Sequence, residues 1–304
     1  MGDSVDRDDL TSRTLPFMKL SDGSATSMTA PPAPLPHYLN TEGRAMARFA
    51  VEGNVVITGG AGTLALSTAR ALLEHGATGL ALWDLEPTIR SSQPTITKLA
   101  TEFPSVRILS IVVDVTSASA IAEAITATTQ ALGTIDHAFC FAGIVGCYHA
   151  LEITAAQWRK ALDVNTTGSF LVAQAVAKQL IAQKTPGSIT FTASISGHRV
   201  NFPQPQVAYN VSKAAILALK NSLAAEWAVH GIRVNSISPG YMDTILNAGG
   251  GNIAEARQVW ADRNPMGRMG AVGELDGVCV LLASRAGSYI NGADLLVDGG
   301  AVVF

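Results

Sequence analysis

A tyrosine and a lysine stand four positions apart, at Tyr209 and Lys213, in a long Ala-rich segment with helical periodicity. Four residues make about one helical turn, so both side chains project from one face, with Cβ atoms about 5–6 Å apart. A free Tyr needs its pKa of about 10 lowered by about 3 units to act near pH 7. An ammonium about 5.5 Å away contributes on the order of 3 kcal/mol toward this shift. The spacing therefore predicts a general acid/base, Tyr209, whose pKa Lys213 lowers.

A glycine-rich turn lies between the first predicted strand and the helix after it. Gly60, Gly62 and Ala65 fit the dinucleotide fingerprint in its Ala-terminated form, in which small residues let the backbone approach a pyrophosphate. The predicted contacts in this turn are Thr58, Gly59, Gly60, Gly62, Thr63 and Leu64.

Two carboxylates follow the next strands. Asp84 ends the second predicted strand, where an acidic residue accepts hydrogen bonds from the adenosine ribose and repels a 2′-phosphate. Asp84 therefore favours NAD(H) without excluding NADP(H); the alternative is that it only caps a loop. Asp114 follows the third strand and is placed to bind the adenine amino group, or to cap the helix that begins near Ser117.

Short β-branched runs alternate with Ala- and Leu-rich stretches of helical period from Val51 onward. The predicted strands are 54–58, 79–84, 106–113, 135–141, 188–193, 232–237 and 294–297. The predicted helices are near 64–75, 88–102, 118–132, 156–182, 207–229 and 271–284. Strict alternation predicts one α/β domain at 49–304, a Rossmann-like, doubly wound, seven-stranded parallel sheet with helices on both faces. Residues 1–48 carry a Pro-rich run at 31–36 and are predicted to form a disordered or surface-hugging extension.

Composition excludes several classes of protein. The chain has 304 residues, a net charge of −3 and a pI near 6.1, so no basic field favours a nucleic-acid partner. Three Cys and no signal-peptide pattern indicate reduced thiols in the cytoplasm, and no apolar run suits a membrane. His137, Cys140, Cys147 and His149 offer zinc-ligand types, but their spacings fit no zinc pattern, so no metal is predicted.

Taken in order, these motifs resemble the short-chain dehydrogenase/reductase family from about residue 50 to the C-terminus. The matching positions are Thr58–Ala65, Asp84, Asp114, Ala142-Gly143, Asn165, Ser194, Tyr209-x-x-x-Lys213, Pro239-Gly240 with Thr244, and Asp298-Gly299-Gly300. The resemblance implies a nicotinamide cofactor, hydride transfer between its C4 and a carbonyl or carbinol carbon, and a homodimer or homotetramer.

The resemblance also implies a role for each matched residue. Tyr209 would be the acid/base, Lys213 would lower its pKa and bind the nicotinamide ribose, and Ser194 would polarise the carbonyl. Asn165 would hold a water that links Lys213 to solvent. Ser196 is the alternative serine, since the family commonly places Ser 13 residues before Tyr. The implied cofactor contacts outside the glycine turn are Asp84, Asp114, Val115, Ala142, Gly143, Tyr209, Lys213, Pro239, Gly240, Met242 and Thr244.

Two positions depart from the family pattern. Thr63 and Ala65 replace the last two glycines of the turn, and Thr63 either crowds the phosphates or donates its hydroxyl to them. Phe141 replaces the usual Asn after the fourth strand, which removes a side-chain hydrogen bond and adds apolar surface near the cofactor.

The substrate pocket is expected from segments 145–153, 198–206 and 241–269. The third segment holds Tyr241, Met242, Ile245, Leu246, Trp260 and Met266, with a hinge candidate at Gly249-Gly250-Gly251 for a lid, or simply a packed helix pair. The loop at 198–206 is similar to that of fungal polyol and ketose reductases. A secondary-metabolite tailoring dehydrogenase and a non-catalytic, cofactor-binding regulator are the alternatives.

Overall fold

A computed structural model describes residues 14–244, 247 and 251–303. Its seven parallel strands form one sheet in the order β3-β2-β1-β4-β5-β6-β7. The strands are β1 Asn54–Thr58, β2 Gly79–Asp84, β3 Arg107–Val112, β4 His137–Cys140, β5 Gly187–Thr192, β6 Ile232–Pro239 and β7 Asp294–Val297. The predicted doubly wound α/β class is confirmed. Strand order reverses between β1 and β4, and a crevice for ligands forms at such a point.

Helices cover both faces of the sheet. They are α1 Thr41–Phe49, α2 Thr63–Glu74, α3 Glu86–Glu102, α4 Ala118–Leu132, α5 Ala155–Leu162, α6 Ser169–Gln183, α7 Val207–Trp227, α8 Asn252–Asp262 and α9 Asp276–Ala283. One apolar cluster joins the sheet to α4, α6 and α7, and a second joins it to α2, α3 and α9. Successive residues of β1 serve the two clusters in turn, Val56 in the first and Val55 and Ile57 in the second, as the two-residue period of a strand requires.

Three helical features differ from the prediction. The single helix expected at 156–182 is two helices joined by a π-helical segment, Asp163–Gly168, because an inserted residue changes the hydrogen-bond ladder but hardly disturbs the apolar pattern. Helix α8 is absent from the helices predicted by periodicity, because its sequence, NIAEARQVWAD, buries little more than Trp260; only the packed helix pair, the alternative for 241–269, allows for a helix there. Helix α1 lies within the predicted extension and crosses its boundary at residue 48, with no buried residue and an N-cap at Asn40.

Residues 14–40 carry neither helix nor strand. The Arg285 guanidinium donates to the carbonyls of Pro32 and Ala33, and the Met28 carbonyl lies against Gly231. This stretch therefore contacts the domain at two places. Along the described ranges, no helix is both long enough and apolar enough to cross a bilayer.

Candidate active site

A cavity of about 990 Å³ opens at the carboxyl ends of the strands, beside the point where strand order reverses. It brings together most of the predicted site residues: Gly59, Gly62, Thr63, Leu64, Gly143, Ser194, Ser196, Tyr209, Lys213, Pro239, Gly240, Met242 and Thr244. Seven others lie outside its wall: Thr58, Gly60, Asp84, Asp114, Val115, Ala142 and Asn165. These seven support the wall or lie beside it, so their predicted contacts with a ligand are not shown by this cavity.

The glycine turn is shaped by close backbone packing. Gly59 has φ +62°, and a Cβ there would lie 2.8 Å from the Ala142 nitrogen. A Cβ on Gly60 would lie 2.5 Å from the Ile57 carbonyl oxygen. Helix α2 begins at Thr63 without a side-chain cap, since its N-cap is Gly62. Its first N–H groups are therefore available to an anion at the cavity wall.

Asp84 braces this turn. Its carboxylate accepts hydrogen bonds from the Ala61 N–H at 3.0 Å and from the Leu85 N–H at 2.7 Å. These bonds hold a negative charge at the end of β2. The loop-capping alternative thus describes part of its role, and neither bond excludes a ribose as a further donor, because a carboxylate has about four acceptor sites.

Asp114 forms a local turn. Its Oδ1 accepts from the N–H and the hydroxyl of Thr116, and these bonds lower the pKa of Asp114. The suggestion that Asp114 caps the next helix is wrong, because Ser117 occupies the N-cap of α4 and accepts from the Ala120 N–H. Val115 is buried in the apolar core.

Asn165 lies in the π-helical segment and is fully buried. Its amide oxygen accepts from the Ile144 N–H at 2.8 Å, and its amide nitrogen donates to the Ile144 carbonyl and the Ser212 hydroxyl, both at 2.9 Å. The side chain thus ties the loop after β4 to helix α7. A Cβ on Gly143, in that loop, would lie 3.6 Å from Lys213 Nζ, so the loop runs directly beside the lysine.

Tyr209 and Lys213 occupy the first turns of α7, as their spacing predicts. Lys213 Nζ lies 5.6 Å from the centroid of the Tyr209 ring and donates to the Thr192 carbonyl at 2.6 Å. Burial raises the pKa of Tyr209 to about 12 and lowers the pKa of Lys213 to about 8. The sequence predicts a lowered pKa for Tyr209; in this structure desolvation of the phenolate dominates, and the lysine beside it does not reverse the shift.

Ser194 follows β5 and caps the 3₁₀ turn Ile195–Gly197. Its hydroxyl accepts from the Ser196 N–H at 3.1 Å and donates to the Ser196 hydroxyl at 3.0 Å. Ser194 acts to lower the pKa of Tyr209, against the effect of burial. Both serines line the cavity, and Ser194 is the one that acts on the pKa of Tyr209.

Three side-chain amides, Asn201, Gln204 and Gln206, also line the cavity, and we call them the amide wall. The hydroxyl of Tyr241 accepts from Asn201 Nδ2 at 2.8 Å and from Gln204 Nε2 at 2.9 Å. The Tyr241 ring stacks on Trp260, with centroids 4.2 Å apart and planes within 5°. Sequence reasoning placed these residues in the pocket segments but missed their mutual contacts, since no spacing rule connects them.

The three predicted pocket segments contribute unequally. Val145 and Cys147 line the cavity from the first segment, whereas Leu151 is fully exposed. From the second, His198 turns away and bonds Ser238 and Asp294. From the third, Met266 is exposed and outside the wall. The predicted residues Ile245, Leu246, Gly249 and Gly250 lie outside the described residues, and most of the hinge candidate lies there with them.

The substituted position Phe141 lines the cavity and stacks on Phe139 at 6.3 Å, adding apolar surface as the sequence predicts. The zinc-ligand candidate His137 binds the Glu52 carbonyl at 2.8 Å, and Cys140 is buried in the core. Within the ranges that the structure describes, no three His, Cys, Asp or Glu side chains gather as a metal site.

Comparisons with known proteins agree with the geometry. A family model described as Enoyl-(Acyl carrier protein) reductase matches residues 59–302. The chain is 36% identical to galactitol 2-dehydrogenase (L-tagatose-forming) of Cereibacter sphaeroides, covering 84% of this chain and 98% of that relative. It is 37% identical to an NADP-dependent mannitol dehydrogenase of Alternaria alternata, covering 84% and 94%.

A solved short-chain type dehydrogenase/reductase from Mycobacterium marinum superposes with a TM-score of 0.80 at 36% identity, covering 85% of this chain and 99% of that one. The chain therefore belongs to the short-chain dehydrogenase/reductase family. It is an oxidoreductase that uses a nicotinamide cofactor to interconvert a secondary alcohol and a ketone.

Proposed function

We propose that this protein oxidises a secondary hydroxyl of a polyol, or reduces the corresponding ketose, with NAD(H) and with Tyr209 as the general acid/base. The observation that carries this proposal is that one cavity is lined both by Ser194, Tyr209 and Lys213 and by the amide wall. The first set is suited to proton transfer and the second to hydroxyl recognition.

The residues present fit a nicotinamide dinucleotide. The glycine turn has no room for a Cβ at Gly59 or Gly60, and the uncapped start of α2 suits a pyrophosphate. At the other end of the cavity, Gly143, Gly240 and Thr244 would hold the nicotinamide. When bound, the cofactor supplies hydride transfer to or from the substrate carbon. Asp114, Val115 and Ala142 remain proposals for the adenosine side, as do Thr58, Leu64, Pro239 and Met242 for the cofactor in general.

The chain's own residues move the proton. In the reducing direction, Tyr209 gives its phenolic proton to the substrate oxygen while Ser194 donates a hydrogen bond to that oxygen. The ammonium of Lys213, 5.6 Å from the ring, favours the phenolate that remains. Asn165 holds the loop after β4 beside Lys213, where a water would pass the proton onward.

Catalysis is tested by replacing the phenol. We expect Tyr209→Phe to lower kcat about 10²–10⁴-fold, the range that general acid–base catalysis supplies. Cofactor binding, followed by NADH fluorescence, should stay within a few-fold of the unmodified protein. Unchanged turnover would remove Tyr209 from the mechanism, and absence of turnover in the unmodified protein would favour a cofactor-binding regulator.

The NAD preference rests on Asp84. Its anchored carboxylate places negative charge at the end of β2, and Arg90 in the following helix is already paired with Glu86. A 2′-phosphate there meets a like charge. The mannitol dehydrogenase relative carries NADP-dependence in its name, so the choice needs a direct test. We expect NADH to bind about 10-fold more tightly than NADPH, and Asp84→Asn to narrow that ratio. Tighter NADPH binding by the unmodified protein would refute the preference.

The polyol class rests on the amide wall. Asn201 is 8% exposed, and its carbonyl oxygen has no hydrogen-bond partner among the described residues. A substrate hydroxyl is a suitable donor, because a buried acceptor without a partner costs about 1–3 kcal/mol. Linear polyols and apolar secondary alcohols should be compared with NAD⁺, and we expect kcat/KM to favour polyols. Phe141, Ile144 and Phe202 also line the cavity, so a preference for apolar alcohols would favour the tailoring-enzyme alternative.

We further propose a cytoplasmic protein that assembles as a homodimer or homotetramer. The three thiols, Cys140, Cys147 and Cys279, are free, which suits a reducing compartment. Light scattering of the purified protein would give the assembly state, and a monomer at micromolar concentration would contradict the proposal.

A further inference from the structure

A continuous chain of hydrogen bonds crosses the cavity wall from helix α8 to the serine pair. Trp260 Nε1 donates to Gln204 Oε1 at 3.1 Å, and Gln204 Nε2 donates to Gln206 Oε1 at 3.2 Å. Gln206 Nε2 then donates to the Ser196 hydroxyl at 3.2 Å, and that hydroxyl lies 3.0 Å from Ser194. These hydrogen bonds thus join three separate parts of the sequence.

Trp260, at the start of this series of hydrogen bonds, determines how the glutamine amides are oriented. An indole N–H is a donor only, so Gln204 must present its oxygen to Trp260 and its nitrogen to the other side. Gln206 in turn must present its oxygen to Gln204 and its nitrogen to Ser196. The second hydrogen of that nitrogen has an acceptor as well, Asn210 Oδ1 at 3.1 Å. The oxygen and nitrogen of a glutamine amide can often be exchanged without losing hydrogen bonds. Here the indole N–H of Trp260 fixes one orientation for the amides of both Gln204 and Gln206.

The serine pair receives the end of the chain in a dry environment. Gln206 and Ser196 are each 5% exposed and Ser194 is 8% exposed, so water has little access to replace a missing donor. In this structure Ser196 Oγ accepts from both Gln206 and Ser194, so the hydrogen of the Ser196 hydroxyl is free to turn toward Ser194 Oγ. Ser194 can then turn its own hydrogen from Ser196 to a substrate oxygen without leaving either hydroxyl unpaired.

We propose that Gln206 is a positioning residue for the reaction, which holds Ser196 so that Ser194 donates to the substrate oxygen, and that Trp260 fixes the orientation of the Gln206 amide through Gln204. This proposal rests on the proposed function of Ser194. It assigns to the amide wall a part in catalysis besides substrate recognition.

The test compares Gln206→Met, which keeps side-chain length and removes the donor, with Ser196→Ala and the double variant. We expect each single variant to lower kcat about 10-fold, to change KM less than about 2-fold and to leave NADH affinity unchanged. The double variant should lose no more than either single one, because both act through Ser194. Gln179→Met, on α6 and bonded to Gln183, is the matched control and should leave kcat unchanged.

A second readout follows Tyr209, whose surroundings include Ser194, Lys213 and Tyr241. Ser194 lowers the pKa of the phenol, so a displaced Ser194 should shift the pH profile of alcohol oxidation to higher pH in Gln206→Met. A purely structural role would change thermal stability and leave that profile in place. If Gln206→Met does not fold, Trp260→Phe keeps the ring on Tyr241 and should lower kcat about 3-fold with the same direction of pH shift.

The outcomes distinguish a failure of the positioning role of Gln206 from a failure of the proposed function on which it rests. Turnover that survives Tyr209→Phe overturns the proposed function itself. Turnover that Tyr209→Phe abolishes but Gln206→Met leaves intact overturns the positioning role alone. Additive losses in the double variant, or an unshifted pH profile, also overturn it.

Discussion

Two parts of the cavity differ in what they are built from: the glycine turn at 58–65, which we call the backbone wall, is closely packed main chain, and the amide wall is a set of side chains. At the glycine turn, a single added carbon on Gly60 would lie 2.5 Å from a carbonyl oxygen of β1. In the amide wall, Gln204 reaches Tyr241 and Trp260 across 37 and 56 residues of sequence, through bonds that several side chains could make. The backbone wall therefore requires glycines, which have no Cβ, whereas the amide wall requires hydrogen-bond donors in particular orientations.

The largest predicted effect is the loss of stability caused by a substitution at Gly60. In Gly60→Ala the new Cβ meets the Ile57 carbonyl oxygen at 2.5 Å and the Leu82 Cα at 2.8 Å, and both belong to the backbone of central strands. Neither strand can move without disturbing the sheet, so we expect a loss of about 3 kcal/mol or more in the free energy of unfolding. Urea denaturation followed by tryptophan fluorescence measures it.

Gly277→Ala is the matched control for that substitution. Gly277 lies in helix α9 with nothing within 4 Å of a Cβ, so alanine should stabilise the protein by about 0.5–1 kcal/mol. Equal stability of the two variants would show that the turn is not closely packed in solution.

The sequence predicted the backbone wall far better than the amide wall, for a physical reason. Strands 54–58 and 79–84 have the predicted bounds, because buried β-branched runs and the turn between them are local signals. Tyr209 and Lys213 share a helix face for the same reason. The long-range bonds of the amide wall have no local signature. The pKa of Tyr209 likewise depends on desolvation by distant segments, and it was predicted in the wrong direction.

A second prediction concerns Lys213, which lines the same cavity. Its pKa is about 8 in the folded protein and about 10.4 in an unfolded chain, so the unfolded state binds more protons between these values. Stability should therefore rise with pH across that window, by up to roughly 3 kcal/mol. Lys213→Met lacks this rise. Urea denaturation between pH 7 and pH 10 should show the unmodified protein gaining on the variant, and parallel curves would contradict the prediction.

A third prediction concerns Tyr241, whose hydroxyl accepts hydrogen bonds from two side chains of the amide wall. Tyr241→Phe keeps the ring on Trp260 but removes the acceptor that Asn201 and Gln204 share. We expect a loss of about 1–2 kcal/mol in stability and a raised KM for the alcohol, with NADH affinity unchanged. Tyr289→Phe, at a fully exposed ring, is the control and should change neither quantity. An effect of Tyr241→Phe on NADH affinity instead would mean that the two walls do not act separately.

The smallest predicted effect is at Thr63, which with Ala65 is one of the two positions where the turn carries a side chain in place of a glycine of the family pattern. Thr63 is exposed, lines the cavity and starts a helix that has no side-chain cap. Its hydroxyl is therefore available as a donor beside the helix N–H groups. A hydrogen bond to a charged phosphate at such an exposed place contributes about 1 kcal/mol, so Thr63→Ala should weaken NADH binding about 5-fold. Thr63→Gly removes the same hydroxyl together with the bulk and should weaken it similarly. If Thr63→Gly instead binds NADH more tightly than the unmodified protein, with Thr63→Ala between them, the bulk of the Thr63 side chain would determine NADH affinity, as close packing determines the effect of a Cβ at Gly60.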